Sequence, residues 1–581
     1  MLRGPEARLR LVTALLIAAL LPVIGQLVRL QILDRDRYQA EVEELVMRPY
    51  ALPVPPAGTI RDRNGDLLVG NIPIYSVGAQ IELITDTQIA AAALAPLLGL
   101  DEATLLEKFV IQEDEKDLEW VWRHLANGVR GENAEAVKEL KRTTWDWLTL
   151  VATWQRFYPE SELASHTLGF VNADGDGYGI EAAQFHLLQP RPAAAMGEVD
   201  VLRVPLSEEL AKGDLRAFAG TDIKLTIDRT IQAFVEGELD KALRLYGASG
   251  GTILVMNPQT GEILASASYP DYNPSLYNIY DTSEQYRFVD PAVSVVYEPG
   301  SVFKMFTVAI ALNSGSVTQD WSYYDSGLIE YGGVLVRNSD GGAHGQQNLQ
   351  GVIDHSLNVG AATLTTQHIG ADVFADYLLR FGFGRTTNVG LFGEAAGLVH
   401  LPWDLNWSDG YLPTNAFGQG IAVTPIQLVT AASMLANHGM MMKPRLITER
   451  RTPEGQVVTI PPKEEGQLVS VETADYVVGL MEHAVETSIV KAQVPGYRIA
   501  GKTGTAQIPV SGGYDPVEVI TSFIGFGPLP DPQLLILVKL DRPQVDLNVR
   551  WGTQTAAPVF NQVASRLFVL LGIPPTEPID P

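Results

Sequence analysis

The chain has 581 residues, too many for one small domain, and 46% of them are apolar against 19% charged, so it can bury large cores and is no disordered polymer. Asp and Glu number 68 against 42 Lys and Arg, a formal net charge of −26, which argues against a surface built for nucleic acid or anionic lipid. There is no cysteine, which removes disulfides, thiolate metal sites and a cysteine nucleophile together while leaving the compartment open.

Residues 11–28 carry no charge and are apolar except for Thr13, Pro22, Gly25 and Gln26. At about 1.5 Å per residue they nearly match a bilayer core of about 30 Å, and Leu30, Ile32 and Leu33 extend the stretch. A transmembrane helix over 11–33 is expected. Arg3, Arg8 and Arg10 precede it with only Glu6 opposing, so residues 1–10 form a cytoplasmic tail and the remainder lies outside, on a single-pass protein of the plasma (inner) membrane. A cleaved signal peptide is the weaker reading: the stretch exceeds the usual apolar region, and no Ala-x-Ala site follows.

Next, Pro53 to Gly58 excludes regular helix and central strand, and Asn64-Gly65 between apolar runs predicts a hairpin turn. Residues 85–142 read as helical, with Leu94, Leu97 and Leu98 at helical spacing. Glu113 to Asp117 is a solvated charge run. A helix is predicted over 232–245, then strands at 252–256 and 262–266 around Asn257-Pro258-Gln259-Thr260-Gly261. Helices are expected near 302–313, 351–369, 371–381, 424–437, 472–485 and 555–571, and strands near 498–507, 520–526 and 533–541. The predicted organisation is a domain over 34–220, a linker and helix over 221–247, a second domain over 248–575 and a tail over 576–581.

Glu298-Pro299-Gly300 is a turn, and Ser301 starts an apolar helix. Lys304 lies three residues on, so both side chains share one helix face. Burial lowers the pKa of such a lysine, and a serine beside a neutral amine is an activated nucleophile. Alone, Ser-x-x-Lys more often marks a capped helix with a surface lysine. Two further pieces change the balance: Ser356-Leu357-Asn358, 55 residues later, and Lys502-Thr503-Gly504-Thr505 in a predicted strand, 146 residues beyond Ser356. The glycine admits a close backbone, and the lysine and threonines suit a carboxylate.

This ordered triplet resembles that of the penicilloyl-serine transferases, and the chain is identified as similar to the class B penicillin-binding proteins, peptidoglycan D,D-transpeptidases of the division and elongation type. Arg61-Asp62-Arg63-Asn64-Gly65, Arg156-Phe157-Tyr158-Pro159, Gly179-Ile180-Glu181, Leu225-Thr226-Ile227-Asp228, the 415–428 stretch and Phe523-Ile524-Gly525-Phe526 resemble other parts of that family. The resemblance implies an α+β fold: a transmembrane helix, an elongated mixed pedestal of the dimerisation type over 34–220, and a transpeptidase domain whose antiparallel sheet is flanked by helices. It implies that Ser301 attacks the penultimate D-alanine carbonyl of a stem peptide and that Lys304 takes its proton. Ser356 and Asn358 would relay the proton and hold the peptide. Lys502, Thr503 and Thr505 would bind the terminal carboxylate beside Gly504. The N–H groups of Ser301 and Thr505 would form the oxyanion hole. No cofactor or metal is called for. Implied partners are peptidoglycan stem peptides, β-lactam antibiotics and a polytopic membrane glycosyltransferase with other division or elongation proteins. One departure is Gln189-Pro190-Arg191-Pro192, where the family carries a glycine-rich run.

Gly496 to Thr503 fits a P-loop letter for letter, but a P-loop opens a helix, and Gly504, Pro509, Gly512, Gly513 and Pro516 forbid one. Asn172 to Gly177 opens like a calcium loop, but its twelfth position is Ala183. His344 and His355 read as isolated, and Trp120, Trp122, Trp145 and Trp147 as core or interface residues. A β-lactamase or penicillin-sensing receptor shares the triplet. The lactamase needs a glutamate to position water, and the nearest match, Pro402-Trp403-Asp404-Leu405-Asn406, has proline there. A catalytically idle scaffold of the wall-synthesis complex is the third reading.

Overall fold

The computed structural model describes residues 55–115, 121–172, 174–190, 218–546 and 549–578, together with Leu20, Pro22, Gln26 and Arg29. The expected membrane span over 11–33 lies outside the described residues, apart from those four positions. Among the described residues no single helix is long and apolar enough to cross a membrane.

The chain forms two compact units, and the division does not run along the sequence at 220. Gly58–Gly70 and Arg156–Leu188 cluster with Thr221–Pro581, leaving Asn71–Gln155 as the bulk of the smaller unit. Pairing explains the assignment. Ile60 and Arg61 run parallel to Ile223 and Lys224. Arg156 donates from Nε to Glu181 (2.9 Å) and from Nη1 to the Gly58 carbonyl (2.8 Å). Phe170 of the early segment packs with Tyr272 and Phe288 of the later one.

In the smaller unit the strand Leu67–Gln80, from Asn71 on, pairs antiparallel with Trp122–Val129 and also with Leu148–Phe157. Helices Thr87–Leu98, Glu102–Lys108 and Gly131–Thr143 belong to the same unit, whose core holds Val77, Leu94, Leu125, Val137 and Leu148. Asp86 caps the first helix by accepting the N–H groups of Gln88 and Ile89. The helical reading of 85–142 is therefore corrected: a strand interrupts it. Asn127-Gly128 breaks helical continuity, with Gly128 at φ +74°, and the strand takes its register from Val77 opposite Ala126.

The larger unit is built on a five-stranded antiparallel sheet in the order Ala500–Val510, Gly513–Gly527, Leu534–Asp541, Gly250–Met256, Ile263–Tyr269. Gly65, at φ +99°, and Gly261, at φ +74°, sit in the two turns read from sequence. Alternation along the strands divides the faces. Phe523 packs against Phe560 with the rings tilted, and Thr521 meets Thr555, the partners both from the segment that carries the helix Ala556–Leu570. On the other face a Cβ at Gly504 would touch Ser522 Oγ, the Pro299 carbonyl and Val302. The strand Ala500–Val510 is the sheet's edge, so its outer backbone groups are open to a further extended chain.

The helix read over 351–369 is three pieces: Leu349–Asp354, Asn358–Thr363 and a wider π turn at Leu364–Ile369. The break lies at Ser356, whose φ of +54° is left-handed; a helix cannot pass through such a residue.

Candidate active site

The helix Lys304–Asn313 is preceded by a 3-10 turn, Gly300–Phe303. Ser301 is the second residue of that turn and caps nothing, so its hydroxyl is available. Gly300 holds φ +61° and donates its N–H to the Gly418 carbonyl (3.0 Å). Any Cβ at Gly418 would come 2.3 Å from the Gly300 carbonyl oxygen, so both glycines are needed for the turn to seat against the loop behind it. Thr307 ties the next turn to the Ala416 carbonyl (2.7 Å).

Lys304 is fully buried. Its Nζ lies 2.9 Å from Ser301 Oγ, 2.8 Å from Asn358 Oδ1 and 3.1 Å from Ser356 Oγ, and it also meets the Ser356 carbonyl. The left-handed backbone of Ser356 is what turns both its oxygens onto one amine. The Ser356 carbonyl and Asn358 Oδ1 can only accept. A neutral amine satisfies both with its two N–H bonds and keeps its lone pair for a hydroxyl proton. Among the described residues no carboxylate pairs with it. Burial, reinforced by the charge of Lys502, pushes its pKa well below the ordinary lysine value.

Lys502 is also buried and donates to Ser356 Oγ (3.0 Å) and to the Thr503 carbonyl (3.3 Å). Burial pushes its pKa down to about 7, with Asp354 acting in the opposite sense. Asn358 Nδ2 donates to the Arg337 carbonyl (2.9 Å), while Asn338 Oδ1 accepts the Val359 N–H (3.1 Å) and Asn338 Nδ2 donates to both oxygens of Asp325. The strand Val334–Arg337 is thereby fixed beside the amine.

Ser301, Asn358 and Thr505 open on one cleft of about 490 Å³. Thr505 Oγ1 accepts the Gly552 N–H (3.1 Å). Strand alternation puts Thr503 on the face opposite Lys502, while Thr505, further along the edge strand, lines the cleft. Thr503 is half-buried and does not line the cleft. The structure thus brings Ser301, Lys304, Ser356, Asn358 and Lys502 into one hydrogen-bonded cluster, with Gly504 and Thr505 at its rim and Thr503 set back.

A model of the penicillin binding protein transpeptidase domain matches residues 251–565, and one of the penicillin-binding protein dimerisation domain matches residues 53–186. The stage V sporulation protein D of Bacillus subtilis is 32% identical over 90% of this chain and 79% of its own length. The chain belongs to the class B penicillin-binding proteins. Its likeness extends to the peptidoglycan D,D-transpeptidase FtsI of Escherichia coli K12, 28% identical over 98% of this chain and 92% of that one. Penicillin binding protein 3 of Mycobacterium tuberculosis, solved in complex with aztreonam, superposes with a TM-score of 0.67 at 26% identity, over 91% of this chain and 98% of that one. This class B protein has the mixed α+β fold and two-unit arrangement of those relatives.

Several residues of the site carry no motif signal. Arg337 enters through its carbonyl, Gly552 through its N–H, and Glu298 by accepting the Gly420 N–H (2.9 Å) and the Tyr514 hydroxyl (3.3 Å). Burial raises the Glu298 pKa. Only the proximity of Glu298 to Ser301 in the chain pointed toward it. Lys502 and Thr503 lie in an extended strand that pairs with another strand, which disposes of the P-loop. Asn172 Oδ1 accepts the N–H groups of Asp174 and Asp176, a local turn. His344 and His355 are not isolated: their rings stack at 5.5 Å.

Proposed function

We propose that this protein cross-links peptidoglycan by serine acyl transfer and is covalently inhibited by β-lactams. The observation that carries the reading is the Ser301 hydroxyl 2.9 Å from a buried amine with no carboxylate partner. Ser301 Oγ forms a bond to the carbonyl carbon of the penultimate D-alanine, and its proton passes to the lone pair of Lys304. The oxyanion is held by the N–H groups of Ser301 and Thr505, which line the same cleft. Collapse breaks the peptide C–N bond, and the leaving D-alanine nitrogen takes a proton through Ser356, the hydroxyl shared by the two amines. An amino group of a second stem peptide then attacks the acyl-enzyme and frees Ser301. Asn358 orients the donor, and Lys502 and Thr505 hold its terminal carboxylate, with Gly504 admitting its backbone. Thr503 lies on the strand between them, set back from the cleft.

No Asp or Glu is among the described residues lining the cleft, and Asp404, in the segment nearest to a lactamase motif, is spent on the Leu401 N–H (2.9 Å). Nothing there activates water, so the penicilloyl ester is long-lived, which favours the transpeptidase over the β-lactamase. We infer further that residues 11–33 anchor the protein in the plasma membrane with the amino terminus cytoplasmic. On this reading 34–220 serves as a pedestal and 248–575 as the transpeptidase, working beside a polytopic glycosyltransferase.

The test is labelling with a fluorescent penicillin, followed by mass mapping of the acylated peptide. A stable adduct on Ser301, lost in Ser301→Ala, is expected. Rapid turnover of penicillin would transfer the assignment to a β-lactamase, and a folded protein that never labels would be an idle scaffold.

A further inference from the structure

The walls of the cleft carry an unusual charge. In a chain with a net charge of −26, the described residues lining this cleft include two arginines, Arg337 and Arg550, and no carboxylate. The two come from different segments of the chain. Arg337 ends the strand Val334–Arg337, and its carbonyl accepts from Asn358 Nδ2 (2.9 Å). Arg550 lies two residues before Gly552, whose N–H is held by Thr505 (3.1 Å). Arg337 is exposed and Arg550 half-buried. Neither guanidinium has an ion pair among the described residues, and Asp515 feels Arg550 only as a charge beyond contact.

Three arginines elsewhere in the same unit do find partners. Arg445 pairs with Glu262, Arg498 with Glu482 and Arg542 with Glu518. Two guanidiniums lining one cleft, neither in an ion pair among the described residues, suit an anion. The terminal carboxylate of the donor is already assigned to Lys502 and Thr505. Val334, Leu335, Phe417 and Trp551 line the same cleft, so an occupant that reaches the arginines also covers apolar surface.

We propose that Arg337 and Arg550 form a subsite for a second carboxylate on the donor stem peptide, upstream of its D-Ala-D-Ala end. The inference rests on the acyl-transfer reading above and narrows its substrate to donors that are anionic along their length. The carboxylate comes from the residue directly before the D-alanine pair or from the one preceding that. Amidation of it would weaken the donor.

The experiment uses the full chain in detergent and synthetic peptides ending in D-Ala-D-Ala. Each carries one upstream carboxylate, at the first or the second position before the pair, and each has a matched carboxamide. The readout is the peptide concentration that halves the rate of labelling by a fluorescent penicillin. One acid peptide should compete about tenfold better than its amide, and the position that does so identifies the source. The ratio should fall to about one in Arg337→Gln/Arg550→Gln, and should be partly restored in Arg550→Lys. Equal competition by acid and amide at both positions, no competition by any peptide, or a ratio that survives in the double variant overturns the subsite. The wild-type comparison decides even if a variant fails to fold. Absence of any penicillin labelling of wild type would instead bring down the acyl-transfer reading on which the subsite rests.

Discussion

Lys304 and Lys502 share one hydroxyl: Ser356 Oγ lies 3.1 Å from the first amine and 3.0 Å from the second. Two like charges are poorly accommodated there, since both amines are buried and, among the described residues, no carboxylate hydrogen-bonds either one, Asp354 acting on Lys502 only as a charge. The cheaper arrangement keeps Lys304 neutral and lets Lys502 carry what charge there is. A proton from Ser301 then has a vacant lone pair to enter and a hydroxyl through which to leave. Ser356→Ala removes that exit and should slow acylation by penicillin by about 10²-fold or more. Time-resolved fluorescent labelling measures it, and a rate within threefold of wild type would remove Ser356 from the relay.

The same pair sets the pH dependence. Acylation needs Lys304 neutral, so its rate should rise with pH through a pKa far below that of an ordinary lysine. Burial pushes the Lys502 pKa down to about 7, so its charge, which holds the donor carboxylate, is lost above that pH. The profile of labelling rate is therefore expected to be bell-shaped, with limbs that belong to the coupled pair. In Lys502→Met the like charge is gone, and the pKa of Lys304 should climb. The acid limb then moves to higher pH, at a lower overall rate. An acid limb that stays fixed or moves down would contradict the coupling.

A second titration acts on stability. Glu236, on the helix Arg229–Tyr246, accepts the Ala164 N–H and Gln232 Nε2, each at 2.8 Å, and burial pushes its pKa up to about 7. A carboxyl raised in the folded state favours folding fully below its unfolded value near 4.5, and that contribution is lost as pH rises through 7. Glu236→Gln keeps an acceptor for both donors and cannot ionise. It should be more stable than wild type at pH 8 by on the order of 2 kcal/mol, with the two melting curves converging toward pH 5. A gap that widens on acidification would mean the sign is wrong.

The chemistry was more legible than the scaffold. Ser301 and Lys304 are one helical turn apart, so their meeting follows from local geometry alone. Ser356-Leu357-Asn358 and Lys502-Thr503-Gly504 were legible only through the resemblance, because no local rule brings residues 146 positions apart to one hydroxyl. The left-handed φ of Ser356 was invisible: helical periodicity continues across it, and only its contacts with Lys304 account for it. The strand Trp122–Val129 was missed for a related reason. Its burial does not alternate cleanly, and its partner strand lies some fifty residues earlier. Arg337, Tyr514 and Trp551 reach the cleft from three separate loops and strands, and their residue types carry no motif. The division of the two units was also illegible, since Ile60 and Arg61 join the later segment by pairing with Ile223 and Lys224, which a linear reading cannot contain.

Gly504 offers the sharpest mechanical test. It stands on the edge strand between Lys502 and Thr505, and a Cβ there would lie 2.5 Å from Ser522 Oγ, 2.9 Å from the Pro299 carbonyl oxygen and 3.1 Å from Val302 Cγ1. The serine can rotate, but the Pro299 carbonyl is backbone and leads directly into Gly300 and Ser301. Gly504→Val must therefore push the edge strand and the nucleophile turn apart. A displacement of about 1 Å in a positioned reactant costs about 10²-fold in rate, so labelling should fall by that order. Because Lys304, Ser356 and Lys502 keep their chemistry, the shape and limbs of the pH profile should remain, with only its height reduced. A Gly504→Val protein that labels at the wild-type rate would mean that the strand and the turn do not need this close approach, and that the oxyanion is held elsewhere.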